Sequence, residues 1–220
     1  RLGGDEFVLV CPVQNEQEAK ELAERCLGLI MKPMTCDYGQ IDVGCSIGVA
    51  LIGEGQTDPS VVLRHADMAL YEAKAEGKGQ VRFFEPAMAE AMRMRRTLED
   101  SLRVSLRTDD FRMVYQPQVD VDGNVAAVEA LLRWNHPELG EISPAVFIPL
   151  AEETGLIMAI GEFVMRKVFE ETAQWHHMRV AINVSAVQMR TPGFATQVMQ
   201  LAARAGIKPS RYEIELTETA

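Results

Sequence analysis

The sequence predicts an α/β protein in two parts, joined by one long helix. Three observations carry that prediction. Short apolar runs rich in β-branched residues alternate with stretches of helical periodicity. The alternation is interrupted once, at residues 86–107, by a long helical pattern studded with Arg and Glu. The length, 220 residues, suits one large domain or two smaller ones.

In the first part, residues 6–11 (EFVLVC) read as a short strand. Residues 16–31 place Ala19, Leu22, Ala23, Cys26, Leu29 and Ile30 at helical spacing. Residues 41–52 (IDVGCSIGVALI) read as a strand. Asp58-Pro59 then opens a helix, with a capping acceptor and Pro in the first turn. Gly77 and Gly79 stop that helix, and residues 81–84 close the unit as a strand. The order β-α-β-α-β gives an α/β or α+β sheet covered by helices.

Residues 86–107 carry Met88, Met92, Leu98, Leu102 and Leu106 and read as a linker helix, its charges forming a solvated face. Beyond it, Asp122-Gly123 between two apolar runs signals a hairpin. Helical patterns at 144–153, 159–176 and 193–205 alternate with strands at 179–185 and 212–218, which implies a parallel sheet or an α/β barrel. The division expected is therefore 1–85, 86–107 and 108–220.

Composition excludes several classes. The net charge of −10 argues against nucleic acid bound over a broad surface. No apolar run reaches the ~20 residues of a membrane span, and no basic-then-apolar leader opens the chain, so a cytoplasmic domain is expected. Cys11, Cys26, Cys36 and Cys45 match no zinc or redox spacing and read as reduced thiols, Cys11 and Cys45 as small buried hydrophobes. His65, His136, His176 and His177 share no metal-ligand spacing. Trp134 and Trp175 read as packing residues.

Two places carry chemistry. At Gly3-Gly4-Asp5-Glu6, paired glycines free the backbone for close approach, and two acids follow. A carboxylate beside such a turn suits Mg²⁺; a plain turn with two solvated acids accounts for the same residues. In the second part, Glu129 interrupts the apolar strand AVEALLRW, where an acid needs a partner or a metal. Arg133 has the same parity on that strand, so an ion pair with Glu129 is one reading. Convergence of Glu129 with Asn183 and Glu215, which lie near the C-terminal ends of their own strands, is the other. Three oxygen donors without His or Cys suit Mg²⁺ or Mn²⁺.

RLGGDEF resembles the RYGGDEF signature of diguanylate cyclases, and SIGVA, ADMALYEAK and Gly77-Lys78 follow in that family's order. The resemblance implies that Gly3 and Gly4 lie against GTP. Asp5 would bind metal close to the proton-accepting role, Glu6 would assist at the metal or the 3′-hydroxyl, and Lys74 and Lys78 would touch phosphates. Position 78 is usually Arg in that family and position 79 commonly Asn; here they are Lys78 and Gly79.

YQPQV, the EAL tripeptide within EALLRW, SPAVFIPLAEETGLI, NVSAVQ and ELTET are similar to EAL-type cyclic di-GMP phosphodiesterases, in order, from about residue 106. That resemblance implies metal ligands at Glu129, Asn183 and Glu215. It also implies a phosphate grip at Arg133, Gln116 near the ligand, and a supporting acid at Glu218. The chain thus resembles a tandem GGDEF–EAL protein present as a fragment. It would hold the C-terminal half of a nucleotidyl-cyclase-like α/β domain, a linker helix, and the N-terminal half of a TIM-like (β/α) barrel. Further family residues are expected outside both ends.

The activity implied is metal-dependent hydrolysis of cyclic di-GMP to linear pGpG, with a GGDEF part that binds GTP and offers synthesis as a second activity. The alternative is a catalytically silent sensor of cyclic di-GMP and GTP that regulates a partner protein. A homodimer is implied through the family. The 220 residues alone are expected to turn over nothing.

Overall fold

The computed structural model describes residues 1–36, 39–53, 55 and 58–216. They form two compact units, Arg1–Met94 and Arg95–Ala220.

In the first unit, α1 (Glu16–Ile30) begins where Asn15 accepts the Glu18 N–H at 2.9 Å, and it buries Ala19 and Ala23. β1 (Met34–Cys36) and β2 (Gly39–Ile41) form a small antiparallel pair. β3 (Ile47–Val49) pairs in parallel with β4 (Val81–Phe83), in register Ile47↔Val81. Between them, α2 (Pro59–Ala75) is capped by Asp58, whose Oδ1 accepts the Ser60 N–H at 2.9 Å. α2 presses fully buried Ala69 and Ala73 inward. It lies so close to β3 that a Cβ at Gly48 would stand on backbone atoms of Ala66 and Leu70. The C-terminal turn of α2 is a left-handed stop. Gly77 has φ 114°, and the Lys78 N–H returns to the Ala73 carbonyl at 3.0 Å.

Three expectations for this unit differ from the structure. Residues 6–11 form no strand; only an isolated bridge links Gly3 and Glu6, and Phe7, Val8, Leu9 and Val10 are exposed. Apolarity favours a strand, but pairing makes one, and no described strand lies beside this run. For the same reason the expected strand at 41–52 is reduced to Ile41, the end of β2, and to β3, the stretch that β4 pairs. Cys11 is exposed with its run, while Cys45 is half-buried, and burial pushes its thiol pKa up.

α3 (Pro86–Ser105) is a continuous helix whose C-terminal half sends Leu98 and Leu102 into the core of the second unit. β5 (Phe111–Val119) and β6 (Val125–His136) then form the expected hairpin, in register Gln116↔Glu129. In its turn Asp120 Oδ1 accepts the N–H groups of Asp122 and Asn124, each at 2.9 Å, and Gly123 adopts φ 83°. These hydrogen bonds hold the Asp120 carboxyl below its ordinary pKa. β7 (Gly140–Ile142) folds back antiparallel on the end of β6.

α4 (Pro144–Glu153) and α5 (Ile157–Thr172) cross over to β8 (Arg179–Val184), which lies parallel to β6. A short capped α6 (Ala186–Met189) and α7 (Phe194–Ala205) lead to β9 (Tyr212–Leu216), parallel to β8. The open sheet runs β5-β6-β8-β9, with β7 beside β6.

One face of this sheet is covered. Val128, Ala130, Trp134, Val180, Ile182 and Val184 pack there with helix residues Leu102, Phe147, Val168 and Phe169. At ~25 cal/mol per Å² of apolar surface, burial of such side chains contributes about 1.5–3 kcal/mol each. The indole N–H of fully buried Trp134 donates to Ser105 Oγ at 2.9 Å, and Ser105 in turn donates to Asp110 at 2.8 Å. Alternation of side chains along the strands puts the residues of opposite parity on the other face.

Candidate active site

That second face gathers the predicted residues of the second part. Gln116 on β5 is the register partner of Glu129 on β6. Asn183 on β8 is the register partner of Glu215 on β9. Glu129 is level with Ala181, so Asn183 stands one step of the same face beyond it. Asn183 Nδ2 donates to Glu129 Oε1 at 2.6 Å. Ala127 and Ala181, both buried, are the small residues beside Glu129 on this face. Glu218 lies outside the described residues.

Glu129, Asn183 and Glu215 thus share one face from three adjacent parallel strands. Their donors are two carboxylates and an amide, the ligand chemistry of a hard divalent cation. Among the described residues no three His, Cys, Asp or Glu side chains cluster for a metal, so the amide oxygen of Asn183 is needed to complete a three-donor set. The residues present fit such an ion.

Arg133 does not pair with Glu129. Two residues of one face four positions apart are about 13 Å apart along a strand at ~3.3 Å per residue. Instead Arg133 Nε lies 3.7 Å from Glu141 Oε1 on β7, and its Nη1 donates to the Leu132 carbonyl at 3.0 Å. Glu141 Oε2 also accepts from Arg112 Nη2 at 3.0 Å. Arg112 and Glu141 were not singled out by the sequence. Their relation to Arg133 depends on the pairing of three strands, and no local pattern signals it.

In the first unit, Gly3 to Glu6 form a tight turn. The Glu6 N–H donates to the Gly3 carbonyl at 2.8 Å, and Gly4 adopts φ 51°, as a glycine at the first central position of such a turn does. Arg1 Nη2 donates to the Gly4 carbonyl at 2.7 Å. Asp5 and Glu6 are exposed. Lys74 and Lys78 are exposed at the end of α2, Lys78 with φ 63°. No hydrogen bond or ion pair among the described residues links the two acids to the two lysines.

The EAL-domain family profile matches residues 99–220. The chain belongs to the EAL family. Residues 1–80 match the family described as diguanylate cyclase, GGDEF domain. Over its whole length the chain is 38% identical to the bifunctional diguanylate cyclase/cyclic di-GMP phosphodiesterase MucR of Pseudomonas aeruginosa, covering 33% of that protein. It is 34% identical to the cyclic di-GMP phosphodiesterase PdeR of Escherichia coli, again over 100% of the chain and 34% of the relative. The chain thus spans about a third of the length of these curated relatives. Among solved structures, the PaMucR phosphodiesterase in complex with c-di-GMP matches with a TM-score of 0.53 and 38% identity, over 56% of this chain and 52% of that one. The EAL sheet described above is the part that carries Glu129, Asn183 and Glu215. No helix of the described residues is long and apolar enough to cross a membrane.

Proposed function

We propose that the protein turns over cyclic di-GMP, its EAL part hydrolysing one phosphodiester bond to leave linear pGpG. The observation that carries this reading is the shared face on which Asn183 reaches Glu129 at 2.6 Å and stands in register with Glu215. Glu129, the Asn183 amide oxygen and Glu215 would hold Mg²⁺ or Mn²⁺. Such an ion supplies a water of lowered pKa and polarises a phosphoryl oxygen. Arg133 binds the phosphodiester through its guanidinium, which matches two phosphate oxygens at once. Gln116, opposite Glu129, offers an amide to the ligand beside the metal ligands. The packed helices behind the sheet hold these side chains in fixed register, so the geometry is set before the ligand arrives.

For the GGDEF part, the turn at Gly3 and Gly4 lies against GTP, Asp5 and Glu6 serve the metal and the 3′-hydroxyl, and Lys74 and Lys78 meet phosphates. GTP binding there supports either synthesis of cyclic di-GMP or control of the EAL part.

One assay pair tests both parts. Full-length protein is incubated with Mg²⁺ or Mn²⁺ and either cyclic di-GMP or GTP, alongside Glu129→Ala and Asp5→Ala. Glu129→Ala is expected to remove hydrolysis, with a loss of at least ~10²-fold, while Asp5→Ala removes any synthesis. Hydrolysis that survives Glu129→Ala sinks the metal assignment. If the unaltered protein consumes neither substrate yet binds cyclic di-GMP, it is a sensor that acts on a partner protein.

A further inference from the structure

We propose that Arg112 and Glu141 form a charge clasp that sets how strongly Arg133 grips an anionic ligand. The proposal rests on the reading of Arg133 as a phosphate-gripping residue.

Arg112 and Arg133 are direct register partners in the β5–β6 pair, so their guanidiniums stem from the same face of neighbouring strands. Like charges in that relation oppose each other. β7 resolves the conflict by placing Glu141 opposite Asn135, next to both arginines. One carboxylate then serves two cations unequally. It makes a 3.0 Å hydrogen-bonded ion pair with Arg112, and only a 3.7 Å ionic contact with the Nε edge of Arg133.

Arg133 spends one donor on the Leu132 carbonyl, and no other hydrogen bond joins its guanidinium to a described residue. The Arg133 side chain is 25% exposed, against 55% for Arg112 and 53% for Glu141. The clasp is therefore the solvent-side rim, and Arg133 is the sheltered member behind it.

β7 is not free to drift. The turn that precedes it is held by buried His136, whose Nδ1 accepts the N–H groups of Glu138 and Leu139, each at 3.1 Å, while Nε2 meets Ser101 Oγ at 2.9 Å. Glu141 is thereby presented at a fixed place.

A carboxylate and a phosphodiester oxygen are the same kind of partner for a guanidinium. Glu141 is therefore a built-in competitor for the phosphate of the cyclic dinucleotide, and Arg112 holds it back. Losing Arg112 hands Glu141 to Arg133 and weakens ligand binding. Losing the charge of Glu141 releases Arg133 and strengthens it. Both side chains are positioning residues that act through Arg133.

The test is a double-mutant cycle read by calorimetric titration of cyclic di-GMP into full-length protein, in chelator so that binding is measured without turnover. Arg112→Ala is expected to raise Kd about 2- to 5-fold, and Glu141→Gln to lower it by a similar factor. Arg112→Ala placed on Glu141→Gln is expected to change Kd little, because no competitor remains to be held. Equal losses from Arg112→Ala in both backgrounds would mean simple long-range attraction and overturn the clasp. Weaker binding by Glu141→Gln would mean that the carboxylate props Arg133 in place, which also overturns it. Arg133→Ala runs in parallel. If it leaves Kd unchanged, the phosphate reading of Arg133 fails, a result read independently of the cycle.

Discussion

Asn183 donates its side-chain amide to Glu129 across two neighbouring parallel strands, on the face of the sheet turned away from the packed helices. The contact pairs a neutral donor with an acid. It orients the carboxylate without adding charge to the face.

Asn183→Asp converts that contact into two acids at hydrogen-bond distance, one of which then needs a proton or a cation. In chelator at neutral pH the variant is expected to lose about 1–3 kcal/mol of stability, the cost of an unsatisfied charged contact. The loss is expected to shrink as pH falls into the carboxylate range, and on addition of Mg²⁺. Thermal unfolding across pH, with and without the ion, measures this. A loss that neither acid nor Mg²⁺ reduces would contradict the close approach of the two side chains.

Tyr115 predicts the alkaline limb of stability. Its hydroxyl donates to Glu171 at 2.7 Å, and its ring meets Trp175 edge-on. Burial first, then the hydrogen bond to Glu171 and the charge of that carboxylate, raises its pKa far above the ordinary tyrosine value. The unfolded chain releases the proton near pH ~10 while the folded chain keeps it. The resulting stabilisation is complete below pH ~10 and is lost as pH rises beyond it. Tyr115→Phe removes this component, so the variant's stability falls less steeply in alkali than the parent's. Denaturant unfolding at several alkaline pH values reads the slope. Tyrosinate absorbance of the native protein, compared with that of Tyr115→Phe, should show Tyr115 failing to ionise before unfolding.

Lys78 separates a side-chain role from a backbone one. Its φ of 63° lies in the left-handed region, which costs a residue with a Cβ about 1–2 kcal/mol. Lys78→Gly relieves that cost and gives back part of it as unfolded-state entropy, so Tm is expected to stay level or rise. If the Lys78 ammonium meets phosphate in the GGDEF part, the same variant binds GTP more weakly. A fall in Tm without any change in GTP affinity would reverse both assignments.

The second unit is more legible in the sequence than the first, for a physical reason. The Asp122-Gly123 turn, the Asp58-Pro59 helix start and the alternation along β6 are local patterns, and each appears where expected. The convergence of Glu129, Asn183 and Glu215 follows from strand-end positions once their strands are neighbours, and the pairing puts all three on one face. Residues 6–11 failed because an apolar run signals burial but not the strand that would pair with it. The three-residue β7 was invisible because its hydrogen bonds to the end of β6 and the His136-held turn define it, not its composition. The partner of Arg133 is hidden in the sequence for the same reason, since Glu141 stands on β7.

The lock between Trp134 and Ser105 has a consequence for how this sequence can change. On β6 the core residue Trp134 and Arg133 are adjacent and point opposite ways, so the strand has a parity that works like a reading frame. One residue inserted or deleted between Glu129 and Trp134 would send every position on one side of it to the wrong face. Such a change would cost the protein its core or its chemistry, whichever end of the strand kept its register. Changes in pairs preserve the frame and the turn at Asp120–Asn124 keeps no parity, so along the β5–β6 hairpin length changes are best tolerated in even steps or in that turn.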